Sequence, residues 1–96
     1  MSTRIKSTMT IWKYKLSTAA VQKILIPSEF KILDIQDQNG FFHLWALVNK
    51  ESKTKWITIK LYGTGEILPF GINNQVHLKT VKDEDYIWHY FLEPND

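Results

Sequence analysis

The sequence contains no cysteine, only three prolines and four glycines, and no long apolar run. Without thiols there is no disulfide framework and no thiolate-ligated metal site, and an intracellular setting is the simplest expectation. No stretch approaches the roughly 18 uninterrupted apolar residues of a membrane-spanning helix, and Met1 to Thr10 lacks the apolar segment of a signal peptide. A soluble, unprocessed protein of the cytoplasm is therefore expected, with no membrane partner. Charge of one sign is also missing. Twelve Lys and Arg against ten Asp and Glu leave a formal net charge of +2, too near balance to announce a nucleic-acid surface. Repeats, low-complexity tracts and linkers are absent as well, so the 96 residues read as a leader, 1–7, and one domain, 8–96.

What is abundant is aromatic and β-branched. Four Trp, four Tyr and five Phe are a heavy load for this length, suited to strands, cores and planar ligands alike. Period-2 alternation predicts strands over Thr8 to Leu16, Phe30 to Gln38, Lys55 to Tyr62 and Tyr86 to Glu93. Shorter strands are predicted over Val21 to Ile26, stopped by Pro27 and therefore at an edge, and over Gln75 to Val81. In Phe30 to Gln38 simple alternation puts Leu33 with Ile35, and Phe30 with Ile32, Asp34 and Gln36. Asn39-Gly40 marks a hairpin, because both residues tolerate the positive φ angles of a type I′ turn. Phe41 to Val48 is then the returning strand; its near-continuous apolar character predicts burial on both faces, with pairing to Lys55–Tyr62 on its other side. Seven short strands with turn signals between them predict an all-β, antiparallel sandwich or small open barrel.

The strand Trp56 to Tyr62 runs directly into Gly63-Thr64-Gly65. Two glycines leave turn amides uncovered, and consecutive N–H groups can receive an anion; glycine is equally the ordinary steric choice for a plain turn. The loop of about ten residues after this turn exceeds a usual hairpin connection and could cover a pocket. His43, His77 and His89 fall on separate strands without metal-ligand spacing, so no metal or cofactor is expected. Paired carboxylates, a Gly-x-Ser-x-Gly elbow and the lysine of a P-loop are all missing, which leaves catalysis without an evident seat. Candidate ligand-binding residues are Gly63, Thr64 and Gly65 for a phosphate, Tyr62, Trp12, Trp45, Trp56 and Trp88 for stacking, and Lys60 for charge. Stacking contributes about 1–3 kcal/mol per base and needs only a flat face. The same aromatics could instead fill the core and a subunit interface.

Thr10-Ile-Trp-Lys-Tyr-Lys-Leu, Leu44-Trp-Ala-Leu-Val48, Tyr62-Gly-Thr-Gly65 and Trp88-His-Tyr-Phe91, in that order, resemble a family of small phage and prophage proteins of unknown function. The chain departs from that pattern at His77-Leu-Lys-Thr80, where the family carries a second Gly-Thr. The resemblance suggests similarity to phage immune-signal sponges such as the Sequestin and Lockin families. It implies a homo-oligomer in the host cytoplasm that sequesters a bacterial defence nucleotide, of the cyclic ADP-ribose type or related, without cleaving it. A single-stranded nucleic-acid module and a phage structural or partner-binding protein are the alternatives.

Overall fold

The computed structural model describes residues 7–94. Apart from Ser7, the expected leader lies outside the described residues. Seven strands run in the order β1 (Met9–Lys15), β2 (Val21–Pro27), β3 (Phe30–Gln38), β4 (Phe41–Asn49), β5 (Thr54–Gly63), β6 (Val76–Asp83) and β7 (Tyr86–Leu92), with one 3₁₀ turn at Ile72–Asn74. They form two antiparallel sheets, β1-β4-β3 and β2-β5-β7-β6. The all-β expectation holds in its sandwich form. Among the described residues no helix is long and apolar enough to cross a membrane.

The core lies between the sheets and follows from strand alternation. Leu44, Ala46 and Val48 of β4 and Ile35 of β3 point inward from one sheet; Ile24 and Ile26 of β2, Ile57, Ile59 and Leu61 of β5, Val81 and Tyr90 meet them from the other. Each fully buried aliphatic side chain stabilises the fold by about 1.5–3 kcal/mol relative to exposure. Tyr90 is wholly buried, yet its hydroxyl donates to Ser17 O at 2.9 Å, which tethers the β1–β2 connection to β7. Burial, with a smaller contribution from the charge of Asp83, pushes the Tyr90 phenol up to about 12.

The β3–β4 turn has φ of 57° at Asn39 and 86° at Gly40, the double positive φ that a type I′ turn requires. Asp37 Oδ1 accepts from Gly40 N–H at 2.9 Å. Three sequence expectations are corrected, in the pairing of β5, the alternation of β3 and the burial of β4. β5 does not pair with β4; it lies between β2 and β7 in the other sheet. The polar Lys50–Lys53 loop carries the chain across the sandwich, and β4 takes β1 as its second neighbour. In β3, a bulge between Ile32 and Asp34 breaks simple alternation. Phe30, Ile32 and Ile35 therefore share the inward side and Leu33 is exposed. An extra residue on one strand reverses the facing of every residue beyond it. Near this bulge Lys79 reaches Asp34 at 2.9 Å and joins the two sheets at an edge. The Lys79 hydrogen bond, with help from Gln36 and the Ile35 amide, holds the Asp34 carboxyl below the usual carboxylate range.

β4 is buried on its inner face only. Its outer residues, including Trp45 and Leu47, are half-buried beside the exposed Ile11 of β1, because a two-layer domain has nothing to lay over a second apolar face.

Candidate functional site

The outer face of the four-stranded sheet carries the most chemistry. Tyr62 of β5 stands directly opposite His89 of β7, and Lys60 opposite Phe91. Thr80 of β6 stands opposite His89, and His77 opposite Phe91. These residues share one face by period-2 alternation. The Phe91 ring meets Tyr62 edge-on at 5.5 Å and His77 edge-on at 5.2 Å. Tyr62 is buried beneath this cover although it lies on the outer face, and its hydroxyl donates to Gln75 Oε1 at 3.2 Å.

A groove of about 290 Å³ opens beside these rings. Tyr62, His89, Phe91 and Leu68 wall it, and the turn Gly63–Glu66 forms its rim. The long loop after the turn thus contributes a wall through Leu68. The turn is closed by Glu66 N–H donating to Gly63 O at 3.2 Å, and Gly65 has φ of 87°, as the third position of a type II turn demands. Gly63 is constrained by space instead: a Cβ there would sit 3.3 Å from Trp88 Cζ3, and the indole would have to shift to admit it.

The amide of Gly63 has a partner. Glu66 Oε1 accepts from it at 3.2 Å, so the concavity expected to receive a phosphate already holds a carboxylate. This geometry argues against an anion at that amide.

A hydrogen-bonded chain runs across the groove. Thr64 Oγ1 lies 2.8 Å from His89 Nε2, His89 Nδ1 lies 2.8 Å from Thr80 Oγ1, and Thr80 Oγ1 lies 2.9 Å from His77 Nε2. Hydrogen placement comes from completing the network. Thr64 Oγ1 has Ile87 O as an acceptor at 3.5 Å. That contact favours His89 carrying its proton on Nε2 and donating to Thr64, while Thr80 donates to His89 Nδ1 and accepts from His77. Both His89 nitrogens are thereby occupied, and its ring faces are what remain for a ligand.

Of the residues expected from sequence, Tyr62, Gly63, Thr64 and Gly65 converge at this groove, and Trp88 lies on the opposite side of the turn. There Trp88 is stacked on Tyr86 at 5.6 Å and 20°, in a second, shallower depression of about 540 Å³ that shares the turn. Lys60 lies on the groove's face, 3.8 Å from Glu93. Trp12 and Trp45 belong to the other sheet, and Trp56 is 60% exposed at the far end of β5, so these three are not brought to the turn. His77, Thr80, His89, Phe91, Leu68 and Glu66 were missed. The signal for His89 and Phe91 was their shared face in β7, but it points to Tyr62 only once β5 and β7 are known to pair.

No group of three or more potential metal-ligating side chains occurs among the described residues. No curated protein and no solved structure matches the chain. A family model described as a domain of unknown function, DUF7352, matches residues 7–96, essentially the whole β-sandwich and the groove it builds. The chain therefore belongs to the DUF7352 family.

Proposed function

We propose that this domain is a non-enzymatic binding protein that holds a small nucleotide in the groove between Phe91, Tyr62, His89 and the Gly63–Glu66 turn. The observation that carries the reading is the convergence of three rings and a glycine-bracketed turn on one pocket of nucleotide-base size. Flat apolar walls favour a planar ligand, and stacking contributes about 1–3 kcal/mol per base. Sequestration of a bacterial defence nucleotide in the cytoplasm of a phage-infected cell is the biological role consistent with this chemistry and with the sequence resemblance. Tight equilibrium binding alone would keep the signal from its receptor.

One observation favours an enzyme reading. Thr64, His89 and Thr80 are strung in the order of nucleophile, base and orienting group, but with His89 Nε2 donating to Thr64 the imidazole is not placed to take the Thr64 proton. The orienting group is a neutral hydroxyl, which gives an imidazolium none of the stabilisation of a buried carboxylate. The Gly63 amide, a nearby donor that an oxyanion would need, is already taken by Glu66. Binding is the better-supported function.

We also propose that a second copy covers the outer face of the three-stranded sheet. Trp45 and Leu47 of β4 lie on this face beside the exposed Ile11 of β1, a band of apolar surface that a second copy would take from water. Trp45→Asp should then shift a dimer to monomer in light scattering; an unchanged mass contradicts this interface.

Native mass spectrometry with cyclic ADP-ribose isomers, cyclic dinucleotides and short single-stranded oligonucleotides tests the main reading. A retained ligand of unchanged mass after heat release is expected. Ligand turnover would establish the enzyme reading, preference for longer strands the nucleic-acid one, and no retained mass would overturn nucleotide binding.

A further inference from the structure

The carboxylate on the turn constrains which part of a ligand can approach it. A carboxylate is acceptor-only and offers about four lone-pair sites over its two oxygens. The Gly63 amide uses one site on Oε1, and the exposed Glu66 side chain keeps the rest at the groove's rim. Next to it stand the rings of Phe91 and Tyr62 and the face of His89, whose nitrogens are held by Thr64 and Thr80. An approaching edge must therefore present hydrogen-bond donors, and the body behind that edge must be flat.

Among the common bases, guanine alone carries two adjacent donors, N1–H and the 2-amino group, which match two carboxylate oxygens in parallel. Adenine and cytosine place an acceptor beside their amino donor, and uracil has one N–H between two carbonyls. Each would set an acceptor against the carboxylate. Charge-assisted, bidentate bonds of this kind are about twice as strong as neutral ones and geometrically selective.

Resting on the nucleotide-binding reading, we propose that the groove selects a guanine-bearing nucleotide, with Glu66 accepting the N1–H and 2-amino edge and the base stacked on Phe91. The turn then reads a base, not a phosphate. Lys60 lies on the same face three residues along β5 from Gly63, about 10 Å away at strand rise. It stands where the phosphate of a nucleotide in this orientation would reach, and its ion pair with Glu93, 3.8 Å, is loose enough to exchange.

The test is calorimetric titration of guanosine, inosine, adenosine and inorganic phosphate into the wild-type protein and E66Q. Gln keeps an oxygen for the Gly63 amide but turns a donor toward the base. Guanosine should bind wild type; inosine, lacking the 2-amino group, should bind about 10- to 100-fold more weakly, as loss of a hydrogen bond to a charged group predicts. E66Q should bring guanosine down to the level of inosine on wild type or below it, because a donor then faces the donor edge. The inosine comparison needs no variant and stands even if E66Q misfolds. If adenosine binds as tightly as guanosine, or guanosine affinity is indifferent to E66Q, the guanine assignment falls while nucleotide binding survives. Binding of inorganic phosphate that strengthens in E66Q would restore a phosphate at the turn. If none of the four binds, the guanine assignment falls, while the nucleotide-binding reading falls only if the cyclic-nucleotide panel is also not retained.

Discussion

Replacing Gly63 with alanine puts a methyl group 3.3 Å from Trp88 Cζ3 and 3.7 Å from Cε3. The first distance is shorter than ordinary carbon–carbon contact, so the indole must move by a few tenths of an ångström. Trp88 packs against the core on one side, so its shift is opposed there although its other side borders the open depression. Overpacking of this kind costs about 1–3 kcal/mol. Against it stands a gain of about 0.4–1 kcal/mol from the stiffer unfolded chain, because Gly63 does not need a positive φ. A net loss of about 1–2 kcal/mol is expected. Gly65→Ala should lose a similar amount, about 1–2 kcal/mol, for a different reason: its Cβ meets nothing within 4 Å, but its φ of 87° is strained for any side chain. Urea denaturation of both variants, each also in a Trp88→Phe background, separates the two causes. Gly63→Ala should couple to Trp88→Phe by about 1 kcal/mol, since the smaller ring relieves the contact, whereas Gly65→Ala should be additive. A Gly63→Ala protein as stable as wild type, or an uncoupled one, would refute the steric account of this turn.

Tyr90→Phe removes the hydroxyl bonded to Ser17 O and should cost about 0.5–1.5 kcal/mol in denaturant titration. Because the folded phenol is raised to about 12 from an unfolded value near 10, its contribution is complete below pH 10 and is lost as pH rises toward 12. The variant should lack that part of the alkaline decline; an identical profile would contradict the burial argument. Thr80→Val removes the hydroxyl between the imidazoles, and ¹⁵N spectra should show His89 protonated on Nε2 in wild type and losing that single-tautomer preference in the variant. A wild-type His89 protonated on Nδ1 would reverse the assigned direction of the chain.

Strand identity was legible wherever local chemistry decides it. Asn39-Gly40 fixed one hairpin, and the alternation of Tyr86, Trp88, Tyr90 and Leu92 against Ile87, His89 and Phe91 assigned both faces of β7 correctly. Pairing across the sandwich was not legible, because the loop Lys50–Lys53 is equally compatible with a hairpin and with a crossover to the other sheet. That one choice hid the site: His89 and Phe91 meet Tyr62 only if β5 pairs with β7. The bulge at Leu33 left no mark either, since Phe-Lys-Ile-Leu-Asp-Ile alternates acceptably in either register. Glu66 was visible two residues beyond Thr64, but its return to the Gly63 amide is a property of the folded turn. The indoles of Trp12, Trp45 and Trp56 were grouped by residue type, whereas strand order scatters them over two sheets.

The claim that the groove on the β5–β7–β6 face is the binding site is tested most directly by ¹⁵N–¹H chemical-shift mapping during titration with guanosine monophosphate. The account predicts saturable shifts at the amides of Tyr62 to Glu66, His89 and Phe91, with Ile11, Trp45 and Leu47 unmoved. Saturable shifts confined to the outer face of the three-stranded sheet, or no saturable shift at Tyr62 to Glu66, would contradict it.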